Sequence, residues 1–148
     1  MSRGPHILVV EAPYYPRIAT DLRRGAERAL AIAGATHERV SVPGAFEIPA
    51  AIATAARTPR HFDGFVALGC VIRGETTHYE HICAESARGL QDLAVRDGLA
   101  IGYGILTVEN EAQALVRASP EGRDKGGEAV RACLALVALK RRFSPPAG

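Results

Sequence analysis

The sequence predicts an α/β protein: a three-layer α/β/α sandwich on a four-stranded parallel sheet of order 2-1-3-4. Three observations predict it. Short apolar runs alternate with longer segments of helical spacing along the whole chain, which calls for a parallel sheet with helices on both faces. Ile7–Val10 and Phe65–Leu68 are unbroken apolar runs, as buried strands are. The 148 residues, 47% of them hydrophobic, make a single domain over 1–148 with a real core and frayed ends at 1–6 and 144–148. For so small a doubly wound unit the natural strand order is 2-1-3-4, with its topological switch between strands one and three.

Each element has its own signal. Ile7–Val10 is strand one. Pro16 suits the first turn of a helix whose Ile18, Leu22, Ala26, Ala29, Leu30 and Ala33 recur at helical spacing, and Gly34 closes it. His37–Val42 is strand two, with Val40 and Val42 alternating with polar residues. Pro43-Gly44 marks a turn, and Ile48-Pro49 opens an alanine-rich helix that ends before Pro59. Phe65–Leu68 is strand three. A helix from about Thr77 to Arg96 buries Tyr79, Ile82, Cys83, Ser86, Leu90, Leu93 and Ala94. Ile101–Leu106 is strand four, followed by a short helix over Asn110–Val116. A loop over Ser119–Gly127 precedes a last helix that offers Val130, Cys133, Leu134, Leu136 and Val137 as apolar surface.

Composition narrows the class of function. The net charge of +2 is nearly balanced and the basic residues are scattered, which argues against a nucleic-acid partner. The basic cluster Lys140-Arg141-Arg142 complements the dipole at the end of the last helix. No apolar stretch is long enough for a signal-peptide core or a bilayer span, so no membrane partner is expected. Cys70, Cys83 and Cys133 are odd in number and lack paired spacing. They read as small apolar groups in a reducing cytoplasm, not as disulfide or zinc ligands.

Function concentrates in Gly69-Cys70-Val71-Ile72-Arg73-Gly74-Glu75-Thr76-Thr77-His78-Tyr79-Glu80-His81. A strand, glycines, polar residues and a helix start make an anion seat from free N–H groups and the positive end of the helix dipole. Gly74–Thr77 read equally well as an ordinary capped helix start, with Thr76 or Thr77 as N-cap. His78 in the first turn adds a proton carrier, which suggests an enzyme acting on a small phosphorylated compound. His81, one turn on, reads as a surface or interface group.

Glu75-x-x-His78 has the spacing of half a carboxylate-bridged di-iron site. The second pair and the further Glu ligands are missing, and no H-E-x-x-H motif occurs, so no metal is expected. A phosphate would call for a fixed cation. Arg73 leaves a strand and can point away, while Arg117 and Lys125 are the other candidates. Lys125 is one of two lysines, in a glycine-flanked loop where a solvated charge is the common explanation. Pro43–Pro49 is a stiff turn that either presents Phe46 to a planar ligand or uses it as a core plug, with Glu47 favouring the helix dipole. Tyr14-Tyr15 after strand one can stack on a ligand or simply pack. The loops 11–16, 43–47 and 69–78 converge on the switch point, where such sheets bind ligands.

These residues resemble the 6,7-dimethyl-8-ribityllumazine synthase family of riboflavin biosynthesis. The resemblance covers nearly the whole chain, and its most specific stretches are PGAFEIP at 43–49, GCVIRGETTHYEHI at 69–82 and GYGILTVEN at 102–110. It implies a flavodoxin-like fold. It also implies a transferase that condenses 5-amino-6-(D-ribitylamino)uracil with 3,4-dihydroxy-2-butanone 4-phosphate, eliminating phosphate and water without metal or organic cofactor. By resemblance, Tyr14 takes the place of a ring that stacks on the pyrimidine. Ala45, Phe46, Glu47, Cys70, Val71 and Ile72 line the pocket, Glu75 and Thr76 hold the phosphate, and His78 transfers protons. Tyr103, Arg117 and Lys125 match positions contributed by the neighbouring subunit, Arg117 being the phosphate-binding arginine.

The resemblance therefore implies a homo-oligomer, a pentamer with sites between adjacent subunits, and names riboflavin synthase as a candidate partner. Tyr stands at 14 and 103 where the family usually has Phe. Ser119–Asp124 is not the Gly-Lys-x-Gly-Asn loop of capsid-forming members, and strand one starts too early to leave an extra strand for a neighbour. Both features favour a free pentamer or a pair of pentamers over a shell. The alternatives are a weakly active flavin- or lumazine-binding protein on the same scaffold, and a phosphosugar-binding module outside the family.

Overall fold

The computed structural model describes residues 4–145. In chain order the elements are β1 (His6–Glu11), α1 (Pro16–Ile32), β2 (Thr36–Ser41), a 3-10 turn (Ala45–Glu47), α2 (Ile48–Ala56), β3 (Gly64–Ile72), α3 (His78–Arg96), β4 (Ile101–Val108), α4 (Glu111–Ala118) and α5 (Lys125–Phe143). The four strands form one sheet of order β2-β1-β3-β4, all pairs parallel, as expected. Alternate strand residues feed two cores. Ile7, Val9, Val66 and Leu68 pack against α1, α4 and α5 on one face; Leu8, Val10, Phe65 and Ala67 pack against α2 and α3 on the other.

The ends of the elements differ from the sequence reading wherever a distant partner decides them. β3 does not stop at Leu68; it runs to Ile72 because β4 continues beside it, pairing Val71 with Thr107 and Ile72 with Val108. Gly69 is therefore inside the strand. β1 begins at His6, which was expected to be frayed. Its N–H donates to Asp63 Oδ2 at 2.8 Å and its ring lies 2.7 Å from Thr36 Oγ1 and 3.0 Å from Glu38 Oε2. Residues 1–3 and 146–148 of the expected frayed ends lie outside the described residues. β2 is an edge strand, so its Val40 is exposed. In α3 only Ser86 and Leu90 are fully buried, while Tyr79, Ile82, Cys83, Leu93 and Ala94 are half-buried.

α5 begins at Lys125, so the last three residues of the expected loop, Lys125–Gly127, belong to the helix. Asp124 adopts the left-handed conformation (φ 48°) and caps the helix, its Oδ1 accepting from Gly127 N–H at 3.3 Å. Gly126 then meets α1 so closely that a Cβ there would lie 2.1 Å from the Leu22 carbonyl oxygen. The same economy recurs in β4, where a Cβ on Gly102 would stand 1.9 Å from the Ala129 carbonyl oxygen. Glycine at these two places lets α5 lie directly on both the sheet and α1.

At the carboxyl end of β1, Glu11 is buried and ties the strand to its neighbour. Its Oε1 accepts from Arg39 Nη1 at 2.8 Å and from Ser41 Oγ at 3.3 Å. This fixes the point from which the chain turns toward Tyr14.

Candidate active site

Outside the carboxyl ends of β1 and β3, three stretches of chain enclose a cavity of about 640 Å³. Tyr14 and Tyr15 leave β1, residues 43–47 form the turn before α2, and Cys70, Val71 and Ile72 end β3; His78, His81 and Ile82 come from the first turns of α3. A volume of this size suits a small organic ligand. Eight of the expected site residues line this cavity: Tyr14, Ala45, Phe46, Glu47, Cys70, Val71, Ile72 and His78.

The walls are chemically distinct. Tyr14 is 71% exposed and meets Tyr15 edge-on, ring centroids 5.0 Å apart, so one ring packs while the other is offered outward. Burial raises the Tyr15 hydroxyl above its usual pKa, Cys70 and Tyr14 add to the rise, and a backbone hydrogen bond with Ile72 opposes it. Phe46 is 53% exposed, which removes the core-plug reading; the buried residue of that turn is Ala45. Burial pushes the Cys70 thiol up to about 12, so at neutral pH it is an uncharged wall group and not a nucleophile.

Around His78 the helix start is open. Thr77 occupies the N-cap position but its hydroxyl makes no capping bond, and Thr76 Oγ1 accepts from the His78 backbone N–H at 3.3 Å. Glu75 and Thr76 are exposed on the loop beside His78 and outside the cavity lining. Arg73 does turn away. Its guanidinium is held by Glu80 and, at 2.9 Å, by Glu109, and lies 4.4 Å from the centre of the Tyr79 ring. Among the described residues no group of three or more His, Cys, Asp or Glu side chains is gathered to hold a metal.

Tyr103, Arg117 and Lys125 are not at this cavity. Tyr103 projects from β4 to the α3 face, where it lines a separate hollow of about 360 Å³ with Ala87, Leu90 and Gln91 and is hydrogen-bonded to Ser86. Arg117 ends α4 with Nη1 donating to the Gln113 carbonyl at 3.1 Å. Lys125, at the first position of α5, pairs with Glu128 at 3.1 Å. The sequence reading missed His81 and Ile82 as lining residues. The i, i+3 spacing of His78 and His81 was the available signal, since it puts both rings on one helix face.

Fold and site together define a parallel α/β protein with a small-molecule cavity at its topological switch, walled by aromatic rings and faced by two imidazoles. Residues 4–141 match the family model of 6,7-dimethyl-8-ribityllumazine synthase. The chain is 53% identical to the 6,7-dimethyl-8-ribityllumazine synthase of Bartonella tribocorum over 97% of its own length and 95% of the relative's. It is 57% identical to that of Sphingopyxis alaskensis (93% and 96% covered) and 55% identical to 6,7-dimethyl-8-ribityllumazine synthase 1 of Rhizobium meliloti (93% of each). The chain belongs to the 6,7-dimethyl-8-ribityllumazine synthase family. Among the described residues no helix is long and apolar enough to cross a membrane.

Proposed function

We propose that this chain condenses 5-amino-6-(D-ribitylamino)uracil with 3,4-dihydroxy-2-butanone 4-phosphate to give 6,7-dimethyl-8-ribityllumazine, phosphate and water. The observation that carries the reading is the cavity at the sheet's switch point, built from the same PGAFEIP and GCVIRGETTHYEHI stretches on which the family resemblance rests. The flat pyrimidine lies against the exposed Tyr14 and Phe46 rings, and the phosphate sits by the uncapped start of α3 at Glu75–Thr76.

The chemistry needs addition, elimination and dehydration and no net redox change. The pyrimidine's primary amine adds to the ketone and water leaves, giving an imine. His78 takes the proton from the carbon next to the imine, and phosphate departs from the following carbon with the C–O bonding pair. The resulting enol becomes a ketone as a proton returns to carbon, and the ribitylamino nitrogen closes the ring with loss of a second water. Holding the two reactants in one cavity supplies much of the acceleration, about 7–11 kcal/mol where geometry is right. His78 contributes as an acid–base group, exposed at the helix start with an unencumbered ring.

Arg117, Tyr103 and Lys125 then serve the cavity of an adjacent copy, because within their own chain they lie away from it. A head-to-tail contact of this kind closes into a ring, here a pentamer or a pair of pentamers. The test is to incubate the purified protein with both compounds in the presence of a chelator. One fluorescent lumazine per phosphate released is the expected result. Tight binding of the pyrimidine with no product would make the chain a binding protein on this scaffold.

A further inference from the structure

Residues 73–77 join the end of β3 to the first position of α3, where His78 stands. Little within this segment holds it. A Cβ on Gly74 would meet nothing within 4 Å, Glu75, Thr76 and Thr77 are exposed, and Thr77 makes no side-chain capping bond. Arg73 is the exception. Its backbone N–H extends the sheet ladder, donating to the Val108 carbonyl at 2.9 Å. Its guanidinium pairs with Glu80 and, Nε to Oε2 at 2.9 Å, with Glu109, and lies 4.4 Å from the centre of the Tyr79 ring. Tyr79 and Glu80 directly follow His78 in the first turn of α3. The Tyr79 hydroxyl is itself hydrogen-bonded to Thr107 of β4 and to Cys83.

One side chain rooted in the sheet thus grips the turn that carries His78, and Glu109, just past β4, grips that side chain in turn. Exposed ion pairs are worth little singly. Their effect here is on orientation, because the guanidinium's fork and its seat on a ring fix its plane and, through it, the helix start. Arg73 also offsets the charge of Glu80, which otherwise stands in the same helical turn as the expected phosphate seat. We propose that Arg73 is a positioning residue for the reaction. It holds the start of α3 to the β4 end so that His78 and the Gly74–Thr77 backbone meet the phosphorylated reactant, and it keeps the Glu80 charge off that reactant. The assignment rests on the proposed reaction for the identity of the reactant.

Arg73→Met keeps the length of the side chain and removes charge and fork; Arg73→Lys keeps the charge alone. The test measures amide hydrogen exchange of residues 74–81, thermal unfolding, the pyrimidine Kd by calorimetry, and steady-state kinetics. Arg73→Met should speed exchange in this segment about tenfold, the worth of two exposed ion pairs and a ring contact. Its melting temperature and pyrimidine Kd should stay near the parent's. Its kcat should fall about 10- to 100-fold, as for a misplaced catalytic group, and its KM for the butanone phosphate should rise. Adding Glu80→Gln should restore that KM and leave kcat low. Arg73→Lys should restore the KM likewise but recover only part of kcat. Parent-like exchange and kcat in Arg73→Met, or full recovery of kcat in Arg73→Lys, would overturn the proposal. So would equal losses for both substrates with a lowered melting temperature, which mark a structural contact. If Arg73→Met does not fold, Glu109→Gln releases one contact only: smaller changes of the same sign are expected, and unchanged exchange and kcat would overturn the proposal. If the parent does not turn over, the proposed reaction fails, while exchange at 74–81 with and without inorganic phosphate still decides whether Arg73 holds the helix start.

Discussion

Replacing His78 by alanine separates what the fold does from what the imidazole does. The side chain is exposed at the first position of α3, its ring has no partner among the described residues, and the hydrogen bond at this point runs through its backbone N–H to Thr76. Stability should therefore change by no more than about 0.5 kcal/mol, and the cavity walls at Tyr14, Phe46 and Cys70–Ile72 remain. Acid–base groups contribute about 10²–10⁴-fold. Because co-binding supplies much of the acceleration here, the low end applies, about 100-fold in kcat or about 2.7 kcal/mol of barrier. The assay follows lumazine fluorescence under saturating substrates across pH, alongside thermal unfolding and pyrimidine binding. A variant as fast as the parent at every pH would remove His78 from the mechanism. One that fails to bind the pyrimidine would show that the residue builds the site.

Arg117→Ala should raise the KM for the butanone phosphate about 10- to 100-fold, the worth of a charge-assisted bond, with little change for the pyrimidine. Arg117→Lys should recover little of it, because lysine lacks the guanidinium's fork; equal losses for both substrates would mark the arginine as structural. Gly102→Ala places a Cβ 1.9 Å from the Ala129 carbonyl oxygen, so α5 must shift, at a cost of about 1–3 kcal/mol or more. Gly98→Ala has open space around it but a φ of +67°, and should cost only about 1 kcal/mol; thermal unfolding of the two variants checks the ranking, and the reverse order would refute the close contact. Light scattering on the purified protein should report a pentamer or a pair of pentamers, and an active monomer would contradict the shared site.

Strand order and helix faces were legible because they depend on local periodicity. Ile18, Leu22, Ala26, Ala29 and Leu30 recur at helical spacing and are all buried in α1. What local pattern could not show were ends decided at a distance. β3 runs four residues past its apolar core because β4 pairs with it to Val108. α5 starts early because Asp124 takes a left-handed turn and Gly126 seats against α1. His6 is ordered through Asp63, far away in sequence. At the site, spacing could nominate His78 and His81 together but could not say which way that helix face points. Phe46 had two readings until its exposure separated them. The roles of Tyr103, Arg117 and Lys125 came from resemblance alone, since no property of a single chain brings them to the cavity.

The claim that the working site is built from two copies has a direct test. Two defective chains, His78→Ala and Arg117→Ala, are mixed in equal amounts, dissociated and reassembled, and lumazine formation is measured. If His78 of one copy and Arg117 of the next serve one cavity in a head-to-tail ring, random assembly leaves about a quarter of the sites intact. Activity should then rise from near background to about a quarter of the parent's on a per-site basis. A mixture that stays at the average of its two inactive components would place the whole site within one chain and contradict the account.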